Sequence, residues 1–141
     1  MAYKPYNHAL LRSDLIRHEG KRSFPYLDSV GKTTIGIGHN LDDLGLSDEQ
    51  IASLLSGDID IAEQALDNIT LDWRFFSEDR KLVILNMAFN LGETRLRTFR
   101  KMWAALGQKD WDEAANQMVD SKWYGQVGKR AVELVSRMRN G

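Results

Sequence analysis

The chain has 141 residues, of which 43% are hydrophobic and 28% charged, and it contains no cysteine. This length allows one core, or two lobes that share a helix, but not two independent average domains, so we expect a single domain over residues 1–141. Without cysteine the fold has neither disulfides nor thiolate metal sites, and the three scattered histidines make a poor metal cage. We therefore predict no metal and no other cofactor.

The net charge of −1 hides an uneven distribution of charge. Residues 1–46 carry a net charge of +1, residues 47–94 carry −7 and residues 95–141 carry +5. The basic final third suits a polyanion such as nucleic acid or an anionic cell wall, although a solvated mixed surface has the same composition. The first eight residues lack the apolar stretch of a secretory signal, and no apolar run approaches the roughly 20 residues of a membrane span. We expect a monomer made in the cytoplasm, with neither a membrane nor nucleic acid as its partner.

The N-terminal third predicts a helix followed by a small hairpin. Leu11, Leu15 and Ile16 have helical spacing, and Gly20 stands where a left-handed C-cap is needed, so a first helix is expected over residues 8–19. Aromatic and β-branched residues at 24–28 and 33–38 flank a glycine-containing turn, which predicts two short strands. A loop is expected over residues 40–45.

The rest of the chain predicts helices. Ser47 and Gln50 have capping-box spacing, and they open a helix over about residues 47–67 whose inward positions are Ile51, Leu54, Leu55, Ile59, Ala62 and Leu66. Later helices are expected at Ser77–Asn90 closed by Gly92, at about Leu96–Leu106 closed by Gly107, after the cap Asp110, and from about Gly128 to Asn140. The predicted fold is α+β and predominantly α. A hairpin lobe (about 20–46) is joined by the long helix to a helical lobe (about 10–19 and 68–141), with the substrate cleft between them.

Two carboxyl groups in the N-terminal third have the contrast that glycoside cleavage needs. Glu19 lies at a helix C-terminus, where the helix dipole disfavours a further negative charge and favours a proton donor. Asp28 lies in a polar turn, suited to an ionised partner. Taken singly, each residue is more typical of a surface Glu before a glycine cap and of an Asp that bonds its own turn. A hydroxyl that positions water is supplied equally well by Thr33 or Thr34.

Three separated blocks of sequence resemble the phage-type lysozymes, glycoside hydrolase family 24. The blocks are Arg17–Gly20 with Tyr26–Asp28 and Thr34–His39, then Asn86–Thr94, then Trp111–Ala115 with Ser121–Gln126 and Arg130–Ala131. The similarity covers about residues 10–135, and the three blocks occur in the order of the family. The order of Glu19, Asp28 and Thr34 resembles the catalytic triad of that family.

The resemblance implies a role for each of several residues. Glu19 would be the general acid, Asp28 its ionised partner and Thr34, not Thr33, the hydroxyl that helps to place the attacking water, with inversion at the anomeric carbon. Substrate contacts would come from Gly38, Asn40, Phe89, Met102 and Gln117. The aromatic ring of Phe89 fits a cleft position and a helical core equally well, whereas the tryptophans at 103, 111 and 123 and Tyr124 are expected in the core. His39 and Asp58 would form a structural ion pair, and Arg130 would reach towards Glu19.

The function implied by the resemblance is that of a muramidase. It would hydrolyse the β-1,4 bond between N-acetylmuramic acid and N-acetylglucosamine in peptidoglycan strands, for phage-mediated lysis after a holin opens the inner membrane. A lytic transglycosylase acts on the same bond without an ionised partner, so Asp28 and Thr34 argue against it. A non-catalytic wall-binding protein on the same scaffold usually lacks the acid or its partner. A helical nucleic-acid binder would use the basic final third and would show salt-dependent DNA affinity.

Overall fold

The computed structural model describes residues 3–141; Met1 and Ala2, part of the segment assessed for a secretory signal, lie outside the described residues. The architecture is α+β and predominantly α, which confirms the predicted lysozyme-like fold class. The described elements, in chain order, are α1 (His8–Glu19), β1 (Arg22–Leu27), β2 (Thr33–Gly36), β3 (His39–Asn40), α2 (Leu41–Leu44), α3 (Asp48–Ile69), a 3-10 turn (Asp72–Phe75), α4 (Glu78–Leu91), α5 (Glu93–Arg97), α6 (Arg100–Gly107), α7 (Trp111–Val119), α8 (Lys122–Val127) and α9 (Lys129–Asn140).

The chain divides into two compact units, with the boundary between Ala52 and Ser53 inside α3. The expectation of a single domain, with a hairpin lobe at about 20–46 and a helical lobe at about 10–19 and 68–141, stays a prediction. Within the part of the chain that the structure describes, no helix is long and apolar enough to span a membrane.

The first unit contains α1, a three-stranded sheet and α2. The predicted α1 is confirmed: Asn7 accepts a hydrogen bond from the Leu10 N–H at its start, and Gly20 ends it with φ +77° while donating its N–H to the Ile16 carbonyl. The sheet is antiparallel with the order β1-β2-β3, so β2 is the central strand. The two predicted strands are confirmed, although β1 begins at Arg22 and β2 ends at Gly36.

The segment expected to be a loop at residues 40–45 instead contains a short strand and one helical turn. Asn40 pairs with Thr34 in the sheet and also caps α2, since its Oδ1 accepts from the Asp43 N–H at 3.0 Å. An Asn followed three residues later by an acidic residue is a usable signal for a helix start. The prediction was wrong because a single helical turn is too short to show a hydrophobic period.

The long helix α3 begins as expected, but part of its predicted inner face is wrong. The Ser47 N–H donates to Gln50 Oε1 at 2.8 Å and the Gln50 N–H donates to Ser47 Oγ at 3.2 Å, which is a complete capping box. Ala62 and Leu66 are buried as predicted, together with Ala65. The other four positions predicted to point inwards are exposed by 41–54%: Ile51, Leu54, Leu55 and Ile59. Helical spacing shows which side chains share a face, but not whether another element covers that face.

The second unit contains the apolar core. Its largest fully buried side chains are Leu66, Val83, Ile84, Met87, Leu96, Met102, Met118 and Met138. They come from six helices, so packing between helices, not between strands, excludes water here. Helix α4 begins at the Ser77 cap and ends before Gly92, and α7 begins after the Asp110 cap, both as predicted.

The region predicted as one helix over Leu96–Leu106 is two helices. α5 ends at Arg97 because the Thr98 hydroxyl and the Thr98 N–H both bond to the Arg95 carbonyl, at 2.6 and 3.1 Å. A threonine that bonds its neighbouring backbone in this way competes with helix continuation. The six-residue α8, capped by Ser121, was not predicted, although serine is a strong N-cap residue.

Candidate active site

Glu19 ends α1 and lies close to Gly38, in the turn that joins β2 and β3. Gly38 has φ +69°, and a Cβ atom at this position would lie 3.0 Å from Glu19 Oε2 and 3.2 Å from Glu19 Cγ. A residue with a side chain would therefore be strained and would also press on the carboxyl group. The turn brings the backbone next to Glu19, while the Glu19 side chain stays exposed to solvent.

Asp28 organises the turn between β1 and β2. Its Oδ1 atom accepts hydrogen bonds from the Val30 N–H at 2.9 Å and from the Lys32 N–H at 2.8 Å, and its backbone N–H donates to the Lys32 carbonyl at 2.9 Å. An aspartate that bonds the backbone of its own turn is what the sequence predicts when Asp28 is considered alone. All side-chain hydrogen bonds of Asp28 within residues 3–141 use Oδ1, so the same bonds that hold the turn also fix the direction of Oδ2.

Thr34 lies in the central strand β2 and is the buried polar side chain of the described residues, with 3% exposure. Its hydroxyl donates to the Lys32 carbonyl at 2.9 Å. Because Lys32 also donates its N–H to Asp28, the backbone of one residue brings Asp28 and Thr34 together. The neighbouring Thr33 is oriented differently: it is half-buried, and its backbone N–H donates to Asp42 Oδ2 at 2.7 Å.

His39 and Asn40 are both engaged within the first unit. His39 Nε2 lies 2.6 Å from the Gly45 carbonyl oxygen, and Asn40 uses its Oδ1 to cap α2 and its Nδ2 to donate to Asp43 Oδ2 at 2.9 Å. Both polar atoms of the Asn40 side chain thus hold α2 in place. The ion pair expected between His39 and Asp58 stays a prediction.

Phe89 and Arg130 both belong to the second unit. Phe89 is 45% exposed on α4, whereas the adjacent Ala88 is buried, so the ring has an accessible face and is not part of the core. Arg130 donates from Nε to Asn86 Oδ1 at 2.8 Å, which ties the start of α9 to α4. Its expected approach to Glu19 stays a prediction.

Met102 and Gln117 line one cavity of about 560 Å³ in the second unit. Met102 is 1% exposed and belongs to the core, so it forms part of the cavity floor. Gln117 is half-buried, and its Nε2 donates to Glu113 Oε1 at 2.7 Å. This hydrogen bond from Gln117, followed by one from Asn116, lowers the pKa of Glu113 below its ordinary value. The expectation that Met102 and Gln117 contact the glycan stays a prediction.

The tryptophans lie where the sequence predicted them, in or against the core. Trp123 is buried and donates from Nε1 to Asn90 Oδ1 at 2.9 Å, and Trp103 donates to the Leu96 carbonyl at 2.9 Å. Trp111 is partly buried under the Arg80 guanidinium, 4.3 Å from the ring centroid. Within residues 3–141, no three His, Cys, Asp or Glu side chains are grouped as metal ligands would be.

Comparison with known proteins places the chain in a family. The chain is 26% identical over 158 residues to the Dictyostelium discoideum protein named Probable T4-type lysozyme 2, covering 91% of this chain and 93% of that protein. It is 29% identical to the pre-baseplate central spike protein of Enterobacteria phage T4, over 90% of this chain and 27% of that protein. It is 28% identical to a peptidoglycan hydrolase of Pseudomonas phage phiKMV, over 90% of this chain and 15% of that protein. The family described as Phage lysozyme matches residues 16–140, and the chain therefore belongs to the phage lysozyme family.

Proposed function

We propose that this chain is a muramidase that hydrolyses the β-1,4 bond between N-acetylmuramic acid and N-acetylglucosamine in peptidoglycan, with Glu19 as the general acid and Asp28 and Thr34 as the groups that place the attacking water. The observation that carries the proposal is the arrangement of the first unit. There the Glu19 carboxyl lies against Gly38, while Asp28 and Thr34 bond to the backbone of the same residue, Lys32. Membership of the phage lysozyme family and a relative named as a peptidoglycan hydrolase support the choice of substrate.

Glu19 is suited to transfer a proton to the leaving oxygen. As the bond between C1 and the bridging oxygen breaks, the Glu19 proton passes to that oxygen, which leaves as a hydroxyl group. The exposed side chain then recovers its proton from solvent. Gly38 supports this step because its lack of a side chain leaves the Glu19 carboxyl undisturbed.

Asp28 and Thr34 are suited to hold the water that attacks C1. The Thr34 hydroxyl already donates its hydrogen to the Lys32 carbonyl, so towards a water molecule it can act only as an acceptor. The Asp28 carboxylate is a second acceptor, and it takes the water proton as the new bond to C1 forms. A water that donates both hydrogens presents its lone pair to C1. Displacement by this water from the opposite face inverts the anomeric configuration.

The remaining proposed contacts hold the saccharide. We assign Phe89 to stacking against a sugar face, because its ring is accessible, and Gly38, Asn40, Met102 and Gln117 to further contacts. For Asn40 these contacts add to its role as the cap of α2. The biological setting that fits a phage lysozyme family member is host lysis, with access to the periplasmic wall through a holin.

The test is the substitution Glu19→Gln, which removes the proton donor and keeps the shape of the side chain. We expect lysis of permeabilised Gram-negative walls to fall by at least about 10²–10⁴-fold, with an unchanged melting temperature. Glu49→Gln, at an exposed glutamate on α3, is the matched control and should keep wild-type activity. Near-wild-type lysis by Glu19→Gln would overturn the assignment of the acid.

The products of the wild-type protein distinguish the competing enzyme class. Mass spectrometry of digested peptidoglycan should find reducing muramic acid ends, because water attacks C1. Anhydro-muramic ends would show a lytic transglycosylase instead. Binding to walls without any cleavage would show a non-catalytic wall-binding protein.

A further inference from the structure

Helix α2 contains two adjacent acidic residues, Asp42 and Asp43, and the first of them contacts the backbone of β2. Asp42 Oδ2 accepts a hydrogen bond from the Thr33 N–H at 2.7 Å. This length is typical of a charge-assisted bond between a carboxylate and an N–H group. Asp43 contacts side chains instead: its Oδ1 lies 3.1 Å from Lys32 Nζ, and its Oδ2 accepts from Asn40 Nδ2.

Asp42 takes the place of a missing strand residue. β3 consists of His39 and Asn40, so its pairing with β2 ends at Thr34, opposite Asn40. The chain then turns into α2, and within residues 3–141 the next residue of β2, Thr33, has no strand partner on this side. A backbone N–H at the end of a sheet ladder needs another acceptor. The Asp42 carboxylate supplies that acceptor.

The Thr33 N–H belongs to the same peptide group as the Lys32 carbonyl. That carbonyl accepts two hydrogen bonds, from the Thr34 hydroxyl at 2.9 Å and from the Asp28 N–H at 2.9 Å. A peptide group is planar, so a bond that fixes the direction of its N–H also fixes the direction of its C=O. The Asp42 carboxylate therefore holds, from the other side of the peptide, the carbonyl to which Thr34 and Asp28 bond.

We propose that Asp42 is a positioning residue for hydrolysis, which orients Asp28 and the Thr34 hydroxyl through the peptide between Lys32 and Thr33. The proposal rests on the proposed function, because Asp28 and Thr34 are the groups that place the attacking water. Hydrogen bonds in a chain polarise one another, so the carboxylate on the N–H side also makes the Lys32 carbonyl a stronger acceptor for the Thr34 hydroxyl. Asp42 acts on the water only through this peptide.

A purely local role at the start of α2 explains the contact less well. Acidic side chains in the first turn of a helix interact favourably with its dipole, but Asp42 and Asp43 share that position. The helix is already capped by Asn40, whose Oδ1 accepts from the Asp43 N–H. An exposed ion pair such as that of Asp43 with Lys32 contributes little to stability. The two acids therefore differ in one respect, which is the backbone contact of Asp42.

The kinetic test compares Asp42→Ala with Asp43→Ala, which removes the same charge from the same helical turn. Asp42→Ala should lower kcat on peptidoglycan by about tenfold and leave KM unchanged, because the attacking water takes part in the chemical step and not in binding. Asp42→Asn should recover most of kcat, since its amide oxygen can still accept from the Thr33 N–H. Asp43→Ala should keep the wild-type kcat. Equal kcat values for the two alanine variants would overturn the proposal.

A double-mutant cycle with Thr34→Val separates positioning from a general loss of structure. Asp42 is exposed, so its truncation should leave the melting temperature near that of the wild type. Because Asp42 is proposed to act partly through the Thr34 hydroxyl, the double variant should lower kcat by clearly less than the product of the two single effects. Effects that multiply would contradict the proposed route through the peptide.

Amide hydrogen exchange tests the contact without a substrate, and therefore separately from the proposed function. In Asp42→Ala the Thr33 amide should exchange about tenfold faster, because it loses its acceptor. The Asp28 amide should also exchange faster, because it donates to the carbonyl of the released peptide. Faster exchange at Thr33 alone would mean that the contact is not transmitted, and the proposal would fall. If the wild-type protein cleaves no peptidoglycan, the muramidase proposal fails, and exchange at Asp28 still decides whether Asp42 holds this peptide.

Discussion

Different interactions stabilise the interior of each of the two units. Every buried apolar side chain of residues 3–141 lies between Ala62 and Met138, in the second unit. In the first unit the buried side chain is Thr34, a polar residue. Its turns are instead set by hydrogen bonds such as those of Asp28 and by glycines such as Gly38.

This difference separates the residues expected to affect activity from those expected to affect stability. Buried methylene groups stabilise a core in proportion to the surface they remove from water, so substitutions in the second unit should act on the free energy of unfolding. A polar turn offers little apolar surface, so substitutions there should act mainly on the geometry of Glu19, Asp28 and Thr34.

The largest expected effect is on stability and comes from Ile84→Ala in the second unit. Ile84 is fully buried on α4, so its truncation leaves a cavity and should lower the free energy of unfolding by about 2–5 kcal/mol. Leu82→Ala, at a 43% exposed position of the same helix, is the matched control and should cost much less. Urea denaturation measures both. Equal losses for the two variants would show that Ile84 is no more deeply buried on α4 than Leu82.

The next effect is on activity and comes from Gly38→Ala in the first unit. The new methyl group would lie 3.0 Å from Glu19 Oε2 and should displace the carboxyl, reducing kcat by about 10²-fold, because small misplacements of reacting groups are costly. Gly36→Ala is a close control, since Gly36 also has φ +69° but nothing within 4 Å of the added atom. Both variants should lose similar stability from backbone strain. If kcat falls equally in both, strain and not the contact with Glu19 is responsible.

Local chemistry made much of the first unit predictable from sequence. The end of α1 at Glu19 follows from Gly20, and the start of α3 follows from the reciprocal bonds of Ser47 and Gln50. Such caps depend on residues within one turn, so the sequence contains all the required information. The outward positions of Ile51 and Leu54 were not predictable, because burial depends on elements distant in the chain.

The residues of the candidate site could be proposed from the sequence, but the contacts of their side chains could not. The spacing of Glu19, Asp28 and Thr34 matched a family pattern, whereas spacing alone left Thr33 and Thr34 equivalent. The structure distinguishes them, because the alternation of a strand buries Thr34 and leaves Thr33 half-buried. The sequence could not show that Arg100 and Lys122 line the same cavity as Met102 and Gln117, because the packing of helices brings these residues together.

A smaller effect is expected from Thr34→Val. Thr34 is both buried and proposed to act on water, so this substitution should affect stability and activity together. The substitution keeps the shape and removes the hydroxyl, so kcat should fall by about tenfold. It also removes one of the two hydrogen bonds that the Lys32 carbonyl accepts, while the bond from the Asp28 N–H remains, so the loss of stability should be about 0.5–1.5 kcal/mol. Thr34→Ser should recover most of kcat, and Thr33→Val should leave kcat near wild type. Equal kcat values for the two valine variants would assign the water-positioning role to neither hydroxyl.

The smallest effect is expected at Asp67, whose ion pair lies at the edge of the core of the second unit. The hydrogen bond from Arg74, with a further one from Trp73, lowers the pKa of Asp67 below its ordinary value. The folded state therefore prefers the ionised carboxylate. The stabilisation is fully present above the ordinary pKa of about 4 and is lost as the pH falls through the lowered value. Melting temperatures of the wild type and of Asp67→Asn should differ by a constant amount from pH 7 to 5 and converge below pH 4. The control Asp60→Asn, at an exposed aspartate on the same helix, should show no such convergence. A difference that persists unchanged to pH 2.5 would mean that the charge of Asp67 does not contribute to the stability of the second unit.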